Sequence, residues 1–130
     1  MRSNGGTTKP RAAQWTLAVG CALAVAFPLA AAVHDEWTPT APLISQVEHH
    51  LKLPDGSKPL PSYARYYYGT VEHGHRVLVG EFVSDQTQPG VHVVKPGQTP
   101  KILDGGCSVI NLKYDTEKKV VIALFCDGVA

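Results

Sequence analysis

The chain has 130 residues, 12 basic and 11 acidic, and carries a formal charge of +1 with its histidines neutral. So even a balance leaves no electrostatic footprint for a phosphate backbone, and no nucleic-acid partner is expected. The length suits one domain rather than two.

The first thirty residues read as a leader. Arg2, Lys9 and Arg11 lie in a polar segment, Trp15 to Val33 is a run of 19 uncharged residues, and Ala30-Ala31-Ala32 closes it. Basic, then apolar, then small is the order of a secretory signal peptide, with cleavage expected after Ala32. Two other readings stay open. The run nearly spans a bilayer and would serve as an uncleaved anchor, the one route by which the protein would hold a membrane. Ala18-Val19-Gly20-Cys21 resembles a lipidation box, although the apolar run continues well past Cys21. All three place the remainder outside the cytoplasm, because the basic residues stay inside.

Residues 1–32 hold three of the 12 basic residues and none of the 11 acidic ones. Cleavage therefore leaves 98 residues with nine basic against eleven acidic side chains, a formal charge of −2. It also removes Cys21 and leaves Cys107 and Cys126, an even pair that an oxidising compartment would join.

Residues 33–41, with Asp35, Glu36, Thr38, Pro39 and Thr40, read as a flexible, solvated tail. The domain is then expected over 42–130. Pro42 suits a first helical turn, Ile44, Val47 and Leu51 recur at helical spacing, and Pro54 stops the run, which predicts a short amphipathic helix over 42–52. About three turns is marginal alone, so the apolar stripe must dock on a sheet while Glu48, His49, His50 and Lys52 face outward. Leu53 to Ser62, rich in Pro, Asp, Gly and Ser, reads as a loop.

Tyr63–Val71 and Arg76–Val83 are β-prone runs joined at Glu72-His73-Gly74-His75, where His-Gly supplies a tight turn. Opposed residues then sum to 147, which sets Tyr67 across from Gly80 and Tyr68 across from Val79. Ser84 to Gly90 reads as a loop, Val91 to Val94 as a short strand, Pro96-Gly97 as a type II turn, and Lys101 to Leu103 as a further addition to the sheet.

Ser108–Tyr114 and Val120–Phe125 form a second hairpin around Asp115-Thr116-Glu117-Lys118. A loop centred between Thr116 and Glu117 makes opposed residues sum to 233 and sets Cys107 directly across from Cys126. Parity then puts Ser108, Ile110, Leu112 and Tyr114 with Val121, Ala123 and Phe125 on a core face. Cys107, Val109, Asn111 and Lys113 share the other face with Val120, Ile122 and Leu124, and the helix is expected near it. A structural disulfide is the better account of the two cysteines. Neither lies in a CxxC motif or beside a basic residue, and closing such a loop stabilises a fold by roughly 3 kcal/mol.

The elements together predict an α+β domain in two layers, one short N-terminal helix packed on a four- to five-stranded antiparallel sheet. Candidate chemistry is sparse. His73 and His75, with Glu72, would offer nitrogen and oxygen ligands to zinc or copper, but a tight turn points neighbouring side chains into solvent in different directions. His49 and His50 sit about 100° apart on the helix and do not converge. The pairs Asp35-Glu36 and Asp115-x-Glu117 read as solvated carboxylates with ordinary pKa values. GxSxG, HExxH and a phosphate-binding glycine loop are absent from the sequence, and no cofactor is implied.

Tyr63, Tyr66, Tyr67 and Tyr68 cluster on one strand, and alternation puts Tyr66 and Tyr68 on one face. Aromatic residues suit strands, so packing is the plainer account, while an exposed row would offer a partner large area with polar tips. Arg65 and Glu81 are expected nearby. The expectation is an exported, non-enzymatic domain that binds a protein or cell-envelope component through Tyr66 and Tyr68. A metal-binding protein using the turn histidines, or a small hydrolase with a site assembled from distant residues, are the alternatives. The intact mass of protein isolated from its host's envelope or medium should show loss of residues 1–32 and of two hydrogens; free thiols on the unreduced protein would contradict it.

Overall fold

The computed structural model describes residues 36–84 and 87–128, together with Gly5, Gly6 and Ala12. The expected leader, apart from those three residues, lies outside the described residues, as does Cys21. Among the described residues one α-helix, α1 (Ala41–His50), precedes β1 (Ala64–Glu72), β2 (His75–Val83), β3 (Gly90–Val93), β4 (Val109–Asp115) and β5 (Val120–Cys126). The strands form one open mixed sheet in the order β3-β1-β2-β4-β5, so the fold is α+β.

α1 begins after Thr40 with Pro42 in its first turn, and Leu51 leaves it in extended conformation. Ile44 and Val47 are buried in one cluster with Tyr67, Leu78, Phe82, Ile110 and Leu112, and Leu51 packs against it. Glu48 departs from its expected outward position. It stands four residues after Ile44 and therefore on the same helical face, so burying Ile44 carries it inward. Its Oε1 accepts from Arg65 Nε at 2.7 Å and from the Tyr67 hydroxyl at 3.0 Å. Arg65 also donates to the Leu60 and Tyr63 carbonyls at 3.0 and 3.2 Å, so both charges on this inner face are satisfied.

The first hairpin keeps the register the sequence predicts. Tyr67 pairs with Gly80 and Tyr68 with Val79. His73 at φ 51° and Gly74 at φ 79° make the turn, whose twist matches that of the flanking strands. Tyr67 lies over Gly80 so closely that a Cβ there would sit 2.9 Å from its ring.

The sheet is not purely antiparallel, as the sequence suggested. β3 runs parallel to β1, with Tyr66 beside His92. The loop after β2 steps across the start of β1 because β4 occupies the other edge of β2. β4 buries Val109, Ile110 and Leu112 and so gains more from a central place than four-residue β3, whose Val91 and Val93 are exposed. Lys101–Leu103 is not a strand.

The second hairpin departs from its expected register by two at the turn and by three beyond a bulge. Asp115 Oδ1 accepts from the amides of Glu117 and Lys118 at 2.9 and 2.8 Å, which places a four-residue loop at 116–119 with Lys119 at φ 55°. Asp115 then opposes Val120. A β-bulge at Ile122 adds one residue more, so Lys113 opposes Ala123 and Cys126 opposes Ile110. The extra residue reverses the parity of the end of β5. Leu124 and Cys126 join Ile110 and Leu112 on the helix side, and Ala123 and Phe125 turn to the other face. The helix accordingly covers the face of Ile110 and Leu112, not the opposite one.

Cys107 still reaches Cys126, from a 3₁₀ turn at Gly106–Ser108 before β4, and the disulfide joins Cα atoms 4.5 Å apart. Backbone bonds from Asp127 N to Gly106 O at 3.1 Å and from Gly106 N to Gly128 O at 3.3 Å hold the two ends together. Part of the expected tail is also docked. Trp37 forms a β-bridge with Gly69, donates from Nε1 to the Thr70 carbonyl at 2.9 Å and lies under the Arg76 guanidinium. Gly69 is what admits it, since a Cβ there would stand 2.5 Å from the indole.

Gly80→Ala should destabilise the domain by about 1–3 kcal/mol, because the added methyl displaces a fully buried ring in a packed core. Urea denaturation reads this as a lower midpoint, and an unchanged midpoint would show that the ring moves freely.

Candidate functional site

Alternation along β1 turns Tyr66, Tyr68, Thr70 and Glu72 away from α1. Registers across the sheet extend each into a row. His92, Tyr66, Glu81, Asn111 and Phe125 align across all five strands, and Tyr68, Val79, Lys113 and Ala123 form the next row across four. The tyrosines predicted from sequence are therefore brought onto one sheet face. Arg65, expected beside them, points instead to Glu48 on the helix side.

One end of this face is covered. Thr99 hydrogen-bonds the Glu81 carboxylate, and Thr99 to Leu103 line a hollow with Glu81, Val109, Asn111 and Asp127. Ala64, Val83 and Val109 are buried there. This segment, rather than the helix, supplies the cover that the apolar cystine end requires.

The remainder is open and amphipathic. The Tyr66 ring stacks on His92 with centroids 5.1 Å apart and planes 22° from parallel. Phe125 is 52% exposed at the far end of the same row. Beyond this row, toward the first hairpin turn, Lys113 Nζ meets Glu72 Oε1 at 2.7 Å. Such a half-exposed pair adds little stability, but it reaches diagonally across β2 above Val77, which is buried beside Asp115 on this face.

The electrostatics follow from this partial cover. Burial pushes the Tyr68 phenol above its ordinary pKa, the Glu81 carboxylate adds to the rise, and Lys113 opposes it. Burial likewise raises Glu81, against the lowering effect of the Thr99 bond, and Asp127 raises it further. Tyr67, on the inner face, is raised by burial and then by Glu48, so it remains a neutral donor to that carboxylate.

Asp115 is neither solvated nor ordinary, contrary to the sequence reading. It is buried, and the amide bonds from Lys118 and Glu117, with His75 and the Lys118 charge, hold its pKa low. The turn histidines are separated in role. His73 is exposed, whereas His75 Nδ1 lies 3.0 Å from Glu117 Oε2 and 4.0 Å from Asp115 Oδ2. Among the described residues no three His, Cys, Asp or Glu side chains converge as a metal site. The rings of His49 and His50 come within 5.2 Å, closer than their helical separation suggested, and His50 Nδ1 meets the Gln46 carbonyl.

Sequence reasoning did not include His92 or Phe125 in this surface. Nothing local signals either one. His92 arrives through the parallel pairing of β3, and Phe125 through the bulge in β5.

Glu81 offers a test of how far the face is desolvated. A carboxyl whose folded pKa is raised binds a proton that the unfolded chain has released, so stability falls as pH rises through that window. Glu81→Gln keeps an acceptor for Thr99 and removes the charge. Its thermal midpoint should exceed that of the wild type at about pH 7, and the two should converge below about pH 4, where both states hold the proton. A gap independent of pH would place the effect in packing instead.

No family model, curated protein or solved structure matches the chain.

Proposed function

We propose that the chain is an exported, non-enzymatic binding module that holds a protein or cell-envelope component on the sheet face opposite α1. The observation that carries this reading is the row from the half-buried Tyr66–His92 stack to exposed Phe125, with half-buried Tyr68 beside it. Tyrosine rings present large apolar area with a polar tip at low conformational cost, which is why they anchor protein interfaces.

The rest of the face fits that use. Glu81, Asn111 and the Lys113–Glu72 pair provide a polar setting that fixes the orientation of a partner. A stiff, hydrogen-bonded sheet holds the rings in place before binding, so little ordering is required on contact. The disulfide suits an oxidising compartment outside the cytoplasm.

Crosslinking in intact cells followed by affinity capture tests the reading. The combined change Tyr66→Ala and Tyr68→Ala should abolish at least one crosslinked species that wild type and a His73→Ala control both retain. An identical set of crosslinked species from all three proteins would remove Tyr66 and Tyr68 from any partner site.

A further inference from the structure

Among the described residues β5 closes one edge of the sheet and pairs with β4 alone. Its sequence, VVIALFC, contains no charge, and Val120, Val121, Ile122 and Phe125 are 47%, 45%, 52% and 52% exposed. Edge strands are ordinarily blunted by lysine, proline or brevity, because their unpaired backbone groups template further pairing. The opposite edge follows that rule, with four-residue β3 between Pro89 and Pro96. β5 is long and apolar, and charges stand only at its ends, Lys118 and Lys119 before it and Asp127 after it.

We propose that β5 pairs antiparallel with β5 of a second copy across a two-fold axis between Ile122 and Ala123, joining two five-stranded sheets into one. The register follows from which face each residue occupies. On the helix side, Val121 lines a hollow with Val47 and Tyr114, and Leu124 opposes Leu112. On the open side, Val120 and Ile122 line a hollow with Val77, Ala123 opposes Lys113 and Phe125 opposes Asn111. A two-fold axis normal to the sheet keeps each face on its own side, so opposed residues must share a face.

One register satisfies that condition along the whole strand. Val120 meets Phe125, Val121 meets Leu124 and Ile122 meets Ala123 of the second copy. It works because the bulge puts the adjacent residues Ile122 and Ala123 on the same face, and both strands carry the same bulge. A shift of one residue either way sets helix-side residues against open-side ones. The same register brings Lys118 opposite Asp127, and both lie on the open side, Lys118 with Val77 and Asp127 with Asn111. Symmetry makes two such ion pairs, one at each end of the seam, and just inside each of them Lys119 meets Cys126 on the helix side. A parallel alignment would instead stack Lys118 and Lys119 on their own copies. The pairing does not rest on the binding reading above, though it would set two tyrosine rows on one continuous face.

Sedimentation velocity over a concentration series, on the protein as purified from its host, decides the matter. Wild type should sediment as a dimer that dissociates on dilution. Ile122→Lys, at an exposed site that leaves the core intact, should sediment as a monomer with an unchanged circular dichroism spectrum. Lys118→Glu and Asp127→Lys should each raise the dissociation constant about tenfold or more by opposing like charges, and the two together should restore it. If Ile122→Lys fails to fold, the charge exchange still decides. A monomer at every concentration, a dimer indifferent to the charge changes, or a double exchange no better than either single change would each overturn the proposal.

Discussion

The buried side chain of Tyr67 ties the layers of this protein together. Its ring fills the space that Gly80 leaves open, packs edge-on against Phe82 and lies under Ile44 and Val47 of the helix. Its hydroxyl then reaches Glu48, which in turn holds Arg65. A ten-residue helix has little stability of its own, so docking must supply it, and here one aromatic residue gives both the apolar contact and the polar anchor. The anchor is also a constraint. With its donors removed, the Glu48 carboxylate would be left desolvated on the inner face, which makes other rotations of α1 about its axis unfavourable.

A second phenol plays a matching part at the cystine end. Fully buried Tyr63 donates to the Cys107 carbonyl at 2.7 Å and accepts from the Lys58 amide at 2.9 Å, so it joins the proline-rich loop to the turn that bears the disulfide. The Cys107 sulfur lies against Asp55 and Gly56 of the same loop. The covalent link and the hydrogen bonds thus fasten the loop after α1, the start of β4 and the end of β5 at one place. The opposite end of the sheet relies on Asp115, whose carboxylate caps its own turn and faces His75 across the hairpins.

These two fixed ends leave the middle of the sheet to be used. The helix side is filled. Among the described residues the other side is covered where Thr99 to Leu103 cross it, and elsewhere it presents rings and aliphatic groups in rows set by strand register. The free edge at β5 continues that surface without a charged barrier. An open aromatic face and an unprotected edge on one small scaffold share a physical basis, since both are unsatisfied surfaces that a stable, stapled sheet tolerates.

The primary structure alone determined what rests on local chemistry. His73-Gly74 favours one tight turn, and the turn fixes every pair of the first hairpin, including Tyr67 over Gly80 and the shared face of Tyr66 and Tyr68. The helix, its Ile44 and Val47 stripe and the pairing of the two described cysteines were equally legible, because periodicity and cysteine count are properties of the chain itself. Tertiary structure decided what depends on competition between distant segments. The apolar demand of β4 for a central place sent β3 to the far edge in parallel. The Asp115 side chain moved the turn of the second hairpin by two in register, and the bulge at Ile122 made it three for the rest. Docking of Ile44 carried Glu48 inward. Each outcome turns on which groups can be buried and satisfied together, and no single segment contains that information.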